Sequence, residues 1–166
     1  MAVGVNKYIE DGFQLDYLGD RPNDGFYSLG TLDDRYTGST ALFNNTPIDD
    51  TQFSKVGGGT FDLYSIDLAK LDGSSFGDVT FTRDGGHSQT FTSDGLSITE
   101  TFLFDANFLG SSAVTWTQSL SALDFHQFDN INVDVSPVPI PAAAFMFAPA
   151  LLGFLRLYRK TKITAV

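Results

Sequence analysis

Residues 60–71 have the sequence TFDLYSIDLAKL, in which apolar and polar side chains alternate as in a β-strand with one buried face. Leu63 and Ile66 both belong to the apolar set, yet they lie on opposite parities of this alternation. The parity changes around Tyr64-Ser65, which predicts a β-bulge or a bend at that point. The stretch therefore indicates one long, bent strand of an antiparallel sheet.

Shorter alternating runs follow along the chain, and Asp-Gly pairs at 72–73, 84–85 and 94–95 precede or separate the first two of them. The runs are DVTFT (78–82), SITETFLF (97–104), AVTWTQ (113–118) and INVDV (131–135). Asp-Gly favours a tight turn, because glycine accepts a positive φ and aspartate can bond to its own backbone. Seven or eight strands fit into residues 8–135, whereas residues 20–58 are predicted to form long loops with one or two short strands. These patterns predict an all-β, antiparallel, jelly-roll-like β-sandwich over residues 1–135.

Composition and charge narrow the classes of protein. The chain has 166 residues, of which 42% are hydrophobic and 16 are phenylalanine, so one domain with a sizeable core is expected. It has no cysteine, which excludes a disulfide framework and a thiolate metal site. All 20 acidic residues lie at or before Asp134, together with six of the 10 basic residues, so this part has a net charge of −14. An acidic surface disfavours nucleic acid as a partner, because phosphates require lysine and arginine.

The C-terminal stretch VPIPAAAFMFAPALLGFLRLYRKTK, residues 138–162, differs in composition from everything before it. Alternating prolines are expected to hold residues 136–141 extended as a linker. Residues 142–158 are apolar almost throughout, and as a helix these 17 residues would be roughly 25 Å long. We expect a single transmembrane helix here rather than a buried helix of the domain, because the run has no polar face.

A basic cluster ends this predicted helix and sets its orientation. The cluster consists of Arg156, Arg159, Lys160 and Lys162. Lysine and arginine prefer the cytoplasmic side of a membrane, so residues 159–166 are predicted to be a cytoplasmic tail and the acidic body to be exported. Export requires an N-terminal signal peptide, and the opening MAVGVNKYIEDGFQL (1–15) has no apolar segment of that kind.

A short motif precedes the apolar run. It consists of Val138, Pro139, Ile140, Pro141 and Ala142. The order of motif, apolar helix and basic cluster resembles the C-terminal sorting signal of PEP-CTERM bacterial surface proteins, and more closely its VPLPA variety. Ile140 stands where the archetype has glutamate and the variety has leucine. The resemblance implies recognition by an exosortase, a membrane enzyme of Gram-negative bacteria, and cleavage near the motif.

The same resemblance implies a location and a setting. The protein would cross the inner membrane once with its body exported, and it would reach the cell surface or the extracellular matrix after processing. Proteins with such tails are associated with biofilm and with the exopolysaccharide matrix. The partners implied are therefore a membrane, an exosortase and a polysaccharide.

Stretches of the body are also similar to jelly-roll, carbohydrate-module-like domains that precede such tails. They are GGGTFDLYSIDLA (57–69), VTFT (79–82), AVTWTQ (113–118) and FHQFDNINV (125–133). In that group EDGF follows a first strand that ends in a sequence like DLAVG, whereas here MAVG stands at the start of the chain, ahead of EDGF (10–13). The resemblance therefore implies a family member that lacks its signal peptide and most of its first strand.

No sequence pattern indicates an enzyme. His87 lies beside the turn DGGH and His126 lies among phenylalanines, and no serine stands in a nucleophile elbow. VGGG (56–59) precedes no predicted helix, so it is not a phosphate-binding loop. We expect His126 to be a packed or rim residue and the body to be catalytically inert.

Calcium is the one metal that the composition favours, because carboxylates in flexible loops suit it. Two pairs of adjacent aspartates, Asp33-Asp34 and Asp49-Asp50, lie in predicted loops. By resemblance to jelly-roll carbohydrate modules, Asp129 matches a residue that holds a structural calcium together with an acidic residue of the first strand. The resemblance implies that this acidic partner lies in the missing part of the first strand, with Glu10 or Asp11 as its substitute. The alternative is that Asp129 only closes a turn, and both interpretations stay open here.

Two functional classes fit the body. The first is a structural or adhesion unit of the cell surface, and the second is a glycan-binding module of the exopolysaccharide matrix. Glycan binding requires an aromatic platform, for which Trp116 and Tyr64 are candidates, together with exposed phenylalanines. Exposure of both rings would favour glycan binding and burial would favour the structural role. We expect Trp116 to lie in the core.

Overall fold

The regular structure of the described residues consists of β-strands, apart from one short 3₁₀ helix. The computed structural model describes residues 4–22, 24–46, 48–71, 77–94, 99–117 and 125–135. Its strands are β1 (Lys7–Glu10), β2 (Phe13–Tyr17), β3 (Phe26–Ser28), β4 (Leu42–Asn44), β5 (Asp50–Lys55), β6 (Phe61–Lys70), β7 (Val79–Arg83), β8 (Ser88–Phe91), β9 (Thr99–Leu103), β10 (Ala113–Thr117) and β11 (His126–Val135). A short 3₁₀ helix, Ala106–Phe108, lies between β9 and β10.

The strands form two antiparallel sheets. Sheet I has the order β1-β2-β5-β10-β7-β8, and sheet II has the order β3-β4-β11-β6-β9. From β4 onward the pairing is nested, because β4 pairs with β11, β5 with β10, β6 with β9 and β7 with β8. Successive pairs of this series alternate between sheet II and sheet I. The prediction of an all-β, antiparallel sandwich of two sheets is confirmed.

Inward-facing side chains of both sheets form a core rich in phenylalanine. Phe61, Phe81 and Phe108 are each less than 2% exposed. Burying one such side chain stabilises the fold by about 1.5–3 kcal/mol. Trp116 is 2% exposed, and its ring centroid lies 5.1 Å from that of Phe81 and 5.3 Å from that of Phe128. The prediction that Trp116 lies in the core is confirmed.

The bulge predicted in β6 is present and is matched by an irregularity in β11. The register between the two strands shifts between Asp129 and Asn132, and again between Asn132 and Val133. The second shift lies opposite residues 63–65, where the alternation of the sequence changes parity. Asn130 has a φ of 47°, in the left-handed region that asparagine tolerates better than most residues. The two shifts let both halves of this long strand pair keep their apolar side inward.

Residues 20–58 contain more strand than the sequence predicts. One or two short strands were expected there, whereas β3, β4 and the six-residue β5 are present. β5 lies between β2 and β10, and it buries Thr51 and Phe53. Its sequence, DTQFSK, has one large apolar side chain, so pairing on both sides stabilises a strand that local alternation hardly signals. The eleven described strands also exceed the seven or eight expected, because three-residue strands carry too little alternation to be recognised.

Several predicted segments lie outside the described residues. They are the linker 136–141, the transmembrane helix 142–158 and the cytoplasmic tail 159–166. Within the ranges that the structure describes, no helix is long and apolar enough to span a membrane. The linker, helix and tail stay predictions from the sequence.

Candidate functional site

A cleft of about 550 Å³ opens where the β1–β2 hairpin of sheet I faces β11 of sheet II, and we call it the acidic cleft. Its polar lining consists of Tyr8, Glu10, Asp11, Gln14, Thr40, Asp129, Asn130 and Asn132, and its apolar lining of Phe13, Leu15, Leu42, Phe53, Phe128, Ile131 and Val133. The structure thus brings Asp129 to the same cleft as Glu10 and Asp11. The described lining includes no lysine or arginine, so the cleft is negatively charged.

The tight turn of the β1–β2 hairpin places Glu10 and Asp11 in this lining. Asp11 and Gly12 have φ angles of 49° and 83°, the left-handed pair that a two-residue Asp-Gly turn adopts. The hydroxyl of Tyr8 donates a 3.0 Å hydrogen bond to the carboxylate of Glu10. Burial, this hydrogen bond and the charges of Glu10, Asp11 and Asp129 together raise the pKa of Tyr8. Tyr8 therefore remains a neutral donor beside the carboxylates.

Asp129 accepts hydrogen bonds from two donors. The hydroxyl of Ser39 donates to one carboxylate oxygen, and the backbone N–H of Asn130 donates to the other at 2.8 Å. Among the described residues, no group of three or more His, Cys, Asp and Glu side chains lies close enough to hold a metal ion. These contacts fix the bulge of β11, and the role of Asp129 as a calcium ligand stays a prediction.

A second cleft, of about 870 Å³, lies beside the segment that joins β3 to β4. We call it the aromatic cleft, because Tyr27, Tyr36, Phe43 and Phe125 line it. Tyr27 and Phe43 are Cα partners on β3 and β4, and their rings stack with centroids 5.9 Å apart. Tyr27, Tyr36 and Phe125 are half-buried, so part of each ring remains accessible from the cleft.

Arg35 and Gln127 hold the segment that borders the aromatic cleft. The guanidinium of Arg35 donates to both carboxylate oxygens of Asp33, each at 2.9 Å. Hydrogen bonds from the side chain and backbone of Arg35 hold the pKa of Asp33 well below its usual range. Nε2 of Gln127 donates to the carbonyl of Arg35 at 3.0 Å and to that of Lys70 at 3.1 Å. Gln127 is 1% exposed, so a buried amide attaches this segment to sheet II.

The two histidines occupy different environments. His126 is fully buried, as expected for a packed residue, and desolvation lowers its pKa to about 3. Nε2 of His87 lies 3.0 Å from Oδ2 of Asp105 at the protein surface. Desolvation raises the pKa of Asp105, but hydrogen bonds from Asn107 and His87 outweigh it and hold this pKa below its usual value. Asp105 also accepts from the backbone N–H of Asn107 at 2.8 Å, so the pair fixes the start of the 3₁₀ helix.

The two aromatic residues that were candidates for a glycan platform differ in their exposure to solvent. Trp116 is buried in the core, whereas Tyr64 on β6 is 41% exposed. The aromatic cleft was missed from the sequence, because Tyr27, Tyr36 and Phe125 come from segments that share no periodicity. A weak signal existed in the tyrosines themselves, which stand among glycines and polar residues in segments without alternation.

The residues of the predicted sorting signal lie outside the described residues. They are Val138, Pro139, Ile140, Pro141 and Ala142 of the motif and Arg156, Arg159, Lys160 and Lys162 of the basic cluster.

Comparisons with protein-family models, with curated proteins and with solved structures found no match to this chain.

Proposed function

We propose that this chain is an exported cell-surface or extracellular-matrix protein with a C-terminal exosortase-type sorting signal. The supporting observation is the order of three features within residues 138–162, namely the V-P-x-P-A motif, an uncharged apolar run and a basic cluster. Each feature alone is common in proteins. In this order they hold a cleavable segment at a membrane surface.

Each part of the signal has a physical role. The apolar residues 142–158 prefer hydrocarbon to water. The basic cluster resists crossing, because a lysine or arginine at the membrane centre costs roughly 2.5–3.5 kcal/mol on the insertion scale. The prolines of residues 136–141 keep the motif extended outside the bilayer. A membrane-bound exosortase can reach an extended backbone there and cut near Pro141, which frees the body to reach the surface.

We also propose that β4 to β11 form a jelly roll. Their nested pairing supports this, because wrapping one long two-stranded ribbon places successive strand pairs alternately in two sheets. β1, β2 and β3 extend the two sheets at one side. A sandwich of this kind, with Trp116 in a phenylalanine-rich core, suits a rigid structural or adhesion unit of a biofilm matrix.

The sorting proposal is tested by expressing the chain behind a working signal peptide in a host with its exosortase and in the same host without it. We expect a surface form that lacks the mass of the tail in the first host, and a larger membrane-bound form in the second. Changing Pro139 and Pro141 to Ala should block processing, whereas Pro137→Ala, outside the motif, should not. Identical mass and fractionation in both hosts would contradict the proposal.

Glycan binding is a second candidate function, and the aromatic cleft is the observation that favours it. Tyr27 and Tyr36 present ring surface on which the C–H face of a sugar can stack. Asp33 and Arg35 neutralise each other, and Asn45 adds an amide, so polar groups for hydroxyls are present without net charge. The acidic chain disfavours anionic polysaccharides, so a neutral glycan is the ligand class of this candidate.

Affinity electrophoresis of the full chain in gels that contain neutral polysaccharides tests this second candidate. We expect Tyr36→Ala to weaken binding on the order of tenfold, because aromatic anchors dominate such sites. Tyr64→Ala is the matched control, since Tyr64 is exposed and lies outside the lining of the cleft. Absence of binding by the unmodified protein would remove the glycan function, and equal loss in both variants would place the site elsewhere.

A further inference from the structure

β11 has a long edge that no other described strand covers. β6 pairs with β11 along one side, between His126 and Val135. On the other side β4 is the neighbour, and the described residues pair there at Phe128 only. The backbone from Asn130 to Val135 thus lacks a strand partner on that side within the described part of the chain. An edge of this kind is a template for a further strand.

The bulge explains why the pairing with β4 stops. The extra residue between Asp129 and Asn132 and the left-handed φ of Asn130 interrupt the ladder directly after Phe128. A bulge also protects an edge from continuous pairing along its whole length. Beyond it, residues 132–135 run extended again beside the acidic cleft. The bulge therefore separates a paired part of this edge from an open part.

The acidic cleft lies between this open edge and sheet I. Phe13 and Tyr8 of the β1–β2 hairpin pack against the core from one wall, and Ile131 and Val133 do so from the other. All four side chains are only partly buried. A strand added to β11 would lie in the cleft and cover apolar surface on both walls. Backbone pairing and apolar burial would thus stabilise the same occupant.

The negative charge of the acidic cleft favours a basic sequence in the added strand. Glu10, Asp11 and Asp129 border the cleft, and the described lining has no basic residue. A second copy of this chain would bring the same carboxylates, together with Asp134, against the same edge, so repulsion disfavours pairing of β11 with itself. A strand with lysine or arginine side chains would instead place cations beside three carboxylates.

We propose that an extended, basic segment of another protein adds as a strand to β11 between Asn130 and Val135. Its backbone pairs with the open edge, its apolar side chains enter the acidic cleft, and its lysine or arginine side chains meet the carboxylates at the rim. This interaction is independent of the sorting and glycan-binding functions, because it uses neither the tail nor the aromatic cleft.

Three synthetic peptides test the proposal with the full chain in a neutral detergent. The first alternates lysine with valine, the second replaces lysine by glutamate, and the third is the lysine peptide with alternate backbone amides methylated. We expect the first to bind and to protect backbone amides between Ile131 and Val135 from hydrogen exchange. The other two should bind at least roughly tenfold more weakly, because the glutamate peptide is repelled by the carboxylates and the methylated peptide lacks half of its backbone N–H donors. Equal binding of the methylated peptide would overturn the strand addition.

Variants of the chain provide a second readout. Glu10→Gln with Asp11→Asn removes two carboxylates, and asparagine tolerates the left-handed φ at position 11. We expect this variant to bind the lysine peptide roughly tenfold more weakly at low salt and with a flatter salt dependence. Asp20→Asn with Asp34→Asn removes two exposed charges outside the lining and should leave binding unchanged. Equal effects of both variants, no binding of the lysine peptide, or self-association through the β11 edge would each overturn the proposal.

Discussion

Asp67 of β6 and Asp129 of β11 are Cα partners, so two carboxylates stand side by side on one face of sheet II. Like charges placed directly opposite destabilise an antiparallel pair. Asn130 joins them, because its backbone N–H donates to Asp129 at 2.8 Å and its side-chain amide donates to Asp67 at 2.8 Å. The bulge of β11 and the aspartate pair therefore both depend on this asparagine.

Replacing Asn130 by Asp should destabilise the fold, because it adds a third carboxylate and removes the amide donor. We expect a loss of about 1–3 kcal/mol in the free energy of unfolding, measured by chemical denaturation. Asn130→Gly is the matched control, since glycine accepts the positive φ but has no amide, and it should cost about 1 kcal/mol. Unchanged stability of Asn130→Asp would contradict the bridging role.

If Asp129 holds a structural calcium, the free energy of unfolding should rise with the calcium concentration. If the ion binds only the folded state, an ion concentration of about 100 times the Kd should add about 2.7 kcal/mol to the free energy of unfolding. Asp129→Asn should abolish this gain, whereas Asp20→Asn, at an exposed position outside the cleft, should keep it. Thermal melts in calcium and in a chelator measure the difference. Coincident melts would leave Asp129 with the structural role alone.

Arg83 connects β7 to the 3₁₀ helix and to the residues that follow it. Its guanidinium donates to the carbonyls of Leu109 at 3.0 Å and Gly110 at 3.2 Å, and also to that of Asn107. A lysine cannot present this fork of donors, so Arg83→Lys should lower the free energy of unfolding by about 1–2 kcal/mol in urea denaturation. Arg21→Lys at an exposed position should change it little. Similar results for the two variants would remove the anchoring role of Arg83.

Because His126 is fully buried, we expect the protein to lose stability on mild acidification. Its pKa is lowered to about 3 in the folded protein by desolvation, whereas an unfolded histidine has a pKa of about 6.5. Below about pH 6.5 the unfolded state binds a proton that the folded state does not, so stability is present above this pH and falls as the pH is lowered. The expected slope approaches about 1.4 kcal/mol per pH unit between about pH 6 and pH 4.5.

His126→Phe is the variant that checks this slope, because phenylalanine fills a buried aromatic position and does not titrate. The free energy of unfolding of the variant should change much less over the same pH range. His87→Phe is the control, since His87 is at the surface, and it should keep the slope of the unmodified protein. A slope that persists in His126→Phe would assign the pH dependence to other groups.

Alternation in the sequence predicted the strands that bury one face in the core. The alternation around Leu63 and Ile66 identified β6 and its bulge, and the alternation around Trp116 identified a strand whose tryptophan faces the core. These predictions succeed because side chains on a strand point to opposite faces with a period of two, so burial leaves a direct trace in the sequence.

The two clefts were not predictable in the same way. Tyr27, Tyr36 and Phe125 meet only because β3, β4 and β11 join one sheet, and Gln127 attaches the segment of Arg35 to that sheet. The local sequence gives only a weak signal for them, because the tyrosines stand among glycines and polar residues in segments without alternation. A cleft is a property of register and layer packing between distant segments, and no period in the sequence records it.

The sequence by itself determined the all-β class, the acidic body and the order of features in the C-terminal stretch, because these follow from composition and short-range periodicity. Only the tertiary structure decided that β5 is a central strand, that Glu10 and Asp11 share a cleft with Asp129, and that β11 keeps an open edge. The reason is physical. Strand pairing and cleft formation are long-range contacts, whose free energy depends on partners far away in the chain and not on the residues next to them.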